Sequence, residues 1–456
     1  MSGKCITGVI ILVLLFTLFG IGSDDVRTNI AGQPYDPSAT ANDEEWYEII
    51  IADLSDSVGR RAVKIGDIDN DGQNEVVVGL ESKYSYDQLR FYRNESGGWF
   101  QYNITDTTGY IHAVAIGDVD NDSLNEVVMG ISLNNQEAEL RYYKWESDAW
   151  AEYIIADPNI TIFSIAIGDL DNDNVNEVAI GLMDYPNDDS ELRYYEYNSG
   201  SWDVHHVDND LLESDGVEIA DIDHDGDNEL IYLGLVAWWS SISALTYYDL
   251  EGSWIKHSVP GVHTGWEMDT GDVDNDGQIE IAWGNYVEPE YEVRVYDYEN
   301  SNWVEHNVSD VKGSVPGTGI YHVAIGDVDN DGQNELAIGA GRLFLQVRYY
   351  EFDSEEWIEH NITSTPGTPE VVEIGDVDND GLNEILVGLD YSTNELRYYE
   401  NHHEPTPSVT TTDTYTTTSP TGGPSEPLDP TILVIVVTLP VIIVLVVGLW
   451  KLKRTK

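Results

Sequence analysis

Short apolar runs recur along the middle of the chain, and they come in four kinds. One kind leads into an acidic stretch, as in Val114-Ala115-Ile116-Gly117, and a second leaves it, as in Glu75-Val76-Val77-Val78-Gly79. A third reads Leu-Arg-aromatic: Leu89-Arg90-Phe91-Tyr92, Leu140-Arg141-Tyr142-Tyr143 and Leu396-Arg397-Tyr398-Tyr399. The fourth opens with tryptophan, at Trp99, Trp150, Trp202, Trp254, Trp303 and Trp357. Turn residues such as Asn198-Ser199-Gly200-Ser201 separate the third kind from the fourth. Short runs rich in β-branched and aromatic residues, bounded by turns, predict strands. Each unit therefore predicts four strands.

The units repeat. The acidic stretch opens at Asp67, Asp118, Asp169, Asp221, Asp272, Asp327 and Asp376, in steps of 51, 51, 52, 51, 55 and 49 residues. A period near ~50 residues of four short strands predicts an all-β propeller or another repeat array. The two ends select the propeller. The seventh unit stops at Asn401 after its third strand, while Trp46-Tyr47-Glu48-Ile49-Ile50-Ile51 precedes the first acidic stretch with no unit of its own. An N-terminal strand that completes the last sheet removes the open edge between first and last units. The expectation is a seven-bladed β-propeller closed by its N-terminal strand.

The acidic stretch carries the chemistry. In the first copy Asp67, Asp69 and Asp71 alternate, Gly72 follows and Glu75 closes. Carboxylates at positions one, three and five of a tight turn converge on one point. Glycine at position six permits the bend, and the backbone carbonyl of position seven, Gln73, adds an oxygen. This all-oxygen logic suits calcium, as in the EF-hand loop, although the closing carboxylate comes at position nine and the flanking elements are strands. The other sets are Asp118, Asp120, Asp122 and Glu126; Asp169, Asp171, Asp173 and Glu177; Asp221, Asp223, Asp225 and Glu229; Asp272, Asp274, Asp276 and Glu280; Asp327, Asp329, Asp331 and Glu335; and Asp376, Asp378, Asp380 and Glu384. A solvated Asp-rich turn that binds nothing accounts for one copy. It does not account for seven at the same offsets, because four convergent carboxylates repel one another. Up to seven calcium ions are expected. Position six departs at Ser123 and Asn174.

Charge narrows the partners. Acidic residues number 84 against 21 basic, a formal net charge of -63. That excludes nucleic acid, which needs clustered Lys and Arg, and disfavours anionic lipid surfaces. The seven loops take 28 of the 84 acids, so a salty or calcium-rich habitat remains compatible with the rest. The only cysteine, Cys5, falls in the N-terminal segment, leaving no disulfide or thiolate metal site downstream. Residues 1–22 have the basic start, apolar run and small residues of a secretory signal. Residues 23–45 form a linker, 46–401 the propeller, and 402–430 a Thr/Ser/Pro-rich stalk. Residues 431–450 are apolar enough to span a bilayer and 451–456 form a basic tail, which places the C-terminus in the cytoplasm and the propeller outside the cell. A processed sorting signal has a similar pattern.

The Gly-Asp-x-Asp-x-Asp-Gly-x-x-Glu loop between two apolar strands resembles the FG-GAP-like and VCBS repeats, of which the integrin α-subunit propeller is a relative. The resemblance spans roughly Trp46 to Asn401 and implies a seven-bladed propeller with calcium in the loops of one face. It does not carry integrin ligand binding, because Ala-Ile-Gly-Asp stands where the Phe-Gly motif would and the Gly-Ala-Pro element is lacking. No catalytic triad, Walker loop, dinucleotide loop or zinc cluster is visible in the sequence. The reading is a membrane-tethered surface module for an extracellular protein or glycan. A surface polysaccharide lyase or hydrolase and a structural envelope component are the alternatives, since fold does not fix function. Trp238 and Trp239, in the connection after the second strand of the fourth unit, and Trp266, in the segment leading into the fifth, are the candidate ligand platform. Packing between blades is the competing role for these three. His205, His257, His306 and His360 each follow a unit tryptophan by three residues and read as architecture, as does the arginine of the third strand. Sequons at Asn94, Asn103, Asn121, Asn159, Asn307 and Asn361 suit an exported glycoprotein.

Overall fold

The computed structural model describes residues 29–30 and 46–401, apart from 55, 83–88, 97, 106, 108, 134–137, 185–188, 212, 236–242, 251, 263–264, 286–290, 312–318, 342–344 and 391–392. The expected signal, stalk, membrane span and basic tail lie outside the described residues. All regular elements among the described residues are strands. They run in antiparallel four-stranded units, in which first, second, third and fourth strands are neighbours in that order. Thr161–Gly168, Glu177–Asp184, Asp189–Asn198 and Ser201–Leu211 make one such sheet. The first two units, with the short strand Asn29–Ile30 at the edge beside Trp99–Thr105, fuse into a nine-stranded sheet through a parallel bridge between Arg61 and Ala113 and an antiparallel contact of Glu81 with Tyr110.

The last sheet mixes the two ends of the repeat region. Trp46–Asp53 pairs antiparallel with Glu395–Asn401, with Trp46 opposite Asn401 and Asp53 opposite Glu395. That sheet's first strand, Thr368–Gly375, packs against Val58–Gly66 of the first unit. A Cβ added at Gly375 would meet Ile65 at 3.3 Å, so the two strands approach as closely as side-chain packing allows. One buried cluster draws Ile51, Val63, Val78, Trp99, Val371, Leu386 and Tyr398 from both ends.

The cores lie between sheets rather than within one. Val128, Leu140 and Tyr142 of the second unit pack on Ile162, Val178 and Ile180 of the third, all fully or nearly fully buried. Strands covered on both faces need continuous apolar runs, which explains why the second strands read Val-Val-Val or Ile-Leu-Val. The repeated tryptophan packs across the seams. Trp150 meets Phe91 of the preceding unit edge to face at 5.9 Å, Trp202 meets Tyr142 at 5.9 Å, and Trp254 meets Tyr194 at 5.7 Å. Trp99 meets Tyr398 of the last sheet at 5.9 Å, and Trp46 meets Tyr349 at 6.1 Å. Such pairs add about 0.5–1.5 kcal/mol beyond their buried area.

Candidate metal centres

Each acidic stretch joins the first strand of its unit to the second, and the same three hydrogen bonds shape all seven. The first Asp accepts the backbone N–H of position six: Asp67 from Gly72 at 2.9 Å, Asp118 from Ser123 at 2.7 Å, Asp272 from Gly277 at 3.1 Å. The third Asp accepts position seven, as Asp71 does from Gln73 at 3.0 Å and Asp380 from Leu382 at 2.9 Å. The closing Glu accepts position two, from Ile68 at 3.2 Å in the first loop to Val377 at 2.8 Å in the last. Position two is an apolar anchor, completely buried at Ile68, Val119, Ile222, Val273, Val328 and Val377.

Two backbone positions are left-handed in every loop. Position four has φ between 59° at Asn70 and 67° at Asn379. Position six is Gly in five loops, with φ from 89° to 99°, and Ser123 and Asn174 adopt 70° and 68°. The two departures from glycine keep the bend and are accordingly strained, Ser123 more than Asn174.

The side chains converge. In the fifth loop Asp272, Asp274, Asp276 and Glu280 place ligand atoms within 4.8 Å of one another, and Asp67, Asp69 and Glu75, Asp118, Asp120 and Asp122, and Asp169, Asp171 and Glu177 do the same in their loops. The closing Glu is the most buried carboxylate of each set, at most 2% exposed. Burial pushes its carboxyl up, to about 8 at Glu177, Glu229, Glu280, Glu335 and Glu384, and the neighbouring aspartates add to the rise. Oε1 of Glu177 and Glu280, and Oδ1 of Asp221, Asp223, Asp272 and Asp327, are buried without a hydrogen-bond partner. A buried carboxylate oxygen left unpaired is costly, and a dication supplies what it lacks. The oxygen donors, their number and the tight turn fit calcium.

The first two loops differ from the rest. Arg93, from the third strand of the first unit, sends its guanidinium into the loop, onto Asp69, to Glu75 at 2.9 Å and to Asp71 at 3.6 Å. Lys144 does the same in the second unit, meeting Asp120 at 2.7 Å, Glu126 at 3.2 Å, and Asp122. Burial raises Glu75 and Glu126 only to about 7, with the basic group pulling the other way. In the other five units the same strand position is acidic: Glu196, Asp249, Asp297, Glu351 and Glu400. This inserted cation was not foreseen. Its signal was present in the sequence, as a basic residue two places after the first aromatic of the third strand.

Position eight is a second feature that sequence reasoning passed over. Asn125 donates its side-chain N–H to the carbonyl of Asp67 in the preceding loop at 3.1 Å, Asn228 to Asp169 at 2.7 Å, and Asn383 to Asp327 at 3.0 Å. Asn74 of the first loop donates to Asp376 of the last at 2.9 Å. The position-four Asn returns the bond: Asn379 donates to the carbonyl of Asn74 at 2.9 Å and accepts its N–H at 2.6 Å. The fifth loop has Ile279 at position eight and the fourth has His224 at position four, so the seam between them lacks this tie.

A charged group lies along the first strands. Arg61 of the first unit pairs with Glu267 of the fifth at 2.8 Å, Arg60 with Glu370 at 3.2 Å, and Lys64 with Glu373. Burial raises Glu267 and Glu218 to about 8, with Asp269 adding to Glu218, and drives His322 down to about 3. Of the candidate ligand platform, Trp238 and Trp239 lie outside the described residues. Trp266 falls in the strand Gly265–Gly271, and its side chain lies outside them too. Three of the repeated histidines stack on tyrosines, His205 on Tyr194, His257 on Tyr247 and His360 on Tyr349, and serve packing.

The FG-GAP-like repeat family matches residues 67–129 and 272–338, each stretch running from one acidic loop into the next unit. Among curated proteins none matches the sequence. Many solved structures are similar, and two serve as examples. One, titled "Crystal Structure of Mitotic Checkpoint Complex", aligns at 10% identity and TM-score 0.51 over 81% of this chain and 99% of that one. Another, "Structure of Dos1 propeller", aligns at 12% identity and TM-score 0.47 over 76% of this chain and 81% of that one. The chain carries FG-GAP-like repeats on an all-β, propeller-like fold.

Proposed function

We propose that the chain is a calcium-stabilised, seven-bladed β-propeller, closed by its N-terminal strand and held outside the cell by a C-terminal membrane helix, that binds a protein or glycan. The observation that carries the calcium part is the set of buried carboxylate oxygens without partners in loops whose backbone is already fixed. A site so preorganised spends little on ordering when an ion enters. The third to seventh loops take calcium. In the first two, Arg93 and Lys144 supply the positive charge from within the chain, so the complement is five ions rather than seven.

Ligand binding is assigned to the connections on the face opposite the metal loops, since loops on a rigid scaffold are where binding residues gather. Trp238, Trp239 and Trp266 are the residues proposed to contact it. Native mass spectrometry of the full-length chain counts the ions, and five support the assignment. A glycan array separates the binding module from its rivals. Retention of a glycan without turnover, lost when the three tryptophans become alanine, supports the module. Depolymerisation of a polysaccharide supports an enzyme, and ordered self-assembly without any ligand supports an envelope component.

A further inference from the structure

The fifth unit breaks the repeat at one place where chemistry is left over. In the third, fourth and sixth units the histidine of the fourth strand lies flat on a tyrosine, with ring centroids 4.5, 4.8 and 4.5 Å apart. The same histidines pair with an acid of the third strand: His205 with Glu196 at 3.3 Å, His257 with Asp249 at 2.8 Å, and His360 with Glu351 at 3.2 Å. In the fifth unit Val295 stands where the tyrosine would, directly opposite His306. Among the described residues no aromatic ring stacks on His306 and no ion pair within 4.0 Å engages it.

We propose that Asp297, Glu299 and His306 form a separate metal site, beside the fifth acidic loop, for a first-row transition dication of the zinc type. Asp297 and Glu299 are two apart on the strand Tyr291–Glu299 and so share a face. His306 pairs with Val295 across the hairpin, which puts it on that face, diagonal to Asp297. The three offer donor atoms within 4.8 Å of one another, a spread that a small closure brings to the ~2 Å bonds of zinc. Asp297 is 4% exposed, and its Oδ1 is buried with no hydrogen-bond partner. His306 is half-buried and Glu299 exposed, so the site opens to solvent.

The donor set separates this site from the acidic loops. An imidazole with two carboxylates suits zinc, cobalt or manganese, whereas an all-oxygen turn suits calcium. Three protein ligands leave a fourth position for water or an incoming group. Asp297 occupies the strand position that Arg93 takes in the first unit, where that side chain reaches its own loop. The place of a tethered cation in the first unit is thus the wall of a metal site in the fifth.

The test is a cobalt(II) titration of the full-length chain saturated with calcium, read by the visible absorption of tetrahedral cobalt. One cobalt per chain is expected, displaced by zinc, with the calcium count unchanged. His306→Ala removes the cobalt spectrum. Val295→Tyr restores the ring beneath His306 as in the other units and also removes it, while retaining the repeat's own packing. Absence of bound cobalt in the parent chain, or a spectrum that survives both substitutions, overturns the assignment. Because calcium is counted separately, failure of the acidic loops to bind calcium is a distinct result.

Discussion

Lys144 is nine-tenths buried and lies within 3.2 Å of carboxylates at positions three and nine of its loop. An ammonium in that place excludes a dication by charge and by volume. Replacing it with a neutral side chain of similar length should open the loop. The expected outcome for Lys144→Gln is one additional calcium per chain by native mass spectrometry, with the parent at five; an unchanged count contradicts the tethered-cation role. The seven acidic loops were legible residue by residue as turns, because the side chains that shape them recur at fixed offsets. The inserted cation was not, because it comes from a strand about 22 residues downstream and only the sheet register brings it back. His306 illustrates the same limit. Its spacing after tryptophan matches its three siblings, and the difference lies in Val295 across the strand pair.

At the scale of elements, four strands per unit were readable from apolar runs and turns, and the pairing of Trp46–Asp53 with Glu395–Asn401 is the completion expected from the unmatched tryptophan, though its register was not legible. The asparagine ties between loops were not anticipated, since Asn at position eight carries no metal ligand. They are nonetheless what joins neighbouring loops through hydrogen bonds. Asn74→Ala leaves the carbonyl of Asp376 without its donor at the seam between first and last units. A fully buried group left unsatisfied costs about 1–3 kcal/mol and this half-buried one less, so the variant should melt somewhat below the parent in calcium. An unchanged midpoint contradicts a role for the tie. Removal of residues 46–53 should have the larger effect. It uncovers the third strand of the last sheet along its length and strips Tyr349 of its partner Trp46. Exposed edges template association, so the shortened chain should aggregate, and a soluble monomer by sedimentation contradicts the closure.

The whole molecule sets a charge problem that no single loop shows. The chain carries a net charge of -63, yet three of its 21 basic residues, Arg60, Arg61 and Lys64, stand on one first strand facing acids of the others. Period and strand count foretold the first strands, but not that the charges of one would answer acids from the fifth and seventh units. Glu218 sits among Asp269, Lys64, Arg61 and Glu373, and burial raises its carboxyl to about 8. A carboxyl whose folded value exceeds the unfolded one favours the fold while protonated, and that contribution is lost as pH rises through the folded value. In saturating calcium, Glu218→Gln should leave the midpoint at pH 5 near the parent's and raise it at pH 9; equal midpoints at both values contradict the assignment. The proposed calcium ions would offset part of the excess charge. At ten times the dissociation constant each ion contributes about 1.4 kcal/mol, so the five proposed ions would contribute about 7 kcal/mol, comparable with the ~5–15 kcal/mol stability of a typical domain. Thermal melting of the full-length chain in calcium and in a chelator therefore tests the account most directly. A midpoint that falls sharply on chelation and returns when calcium is restored is the outcome it predicts, and the same midpoint in both conditions contradicts it.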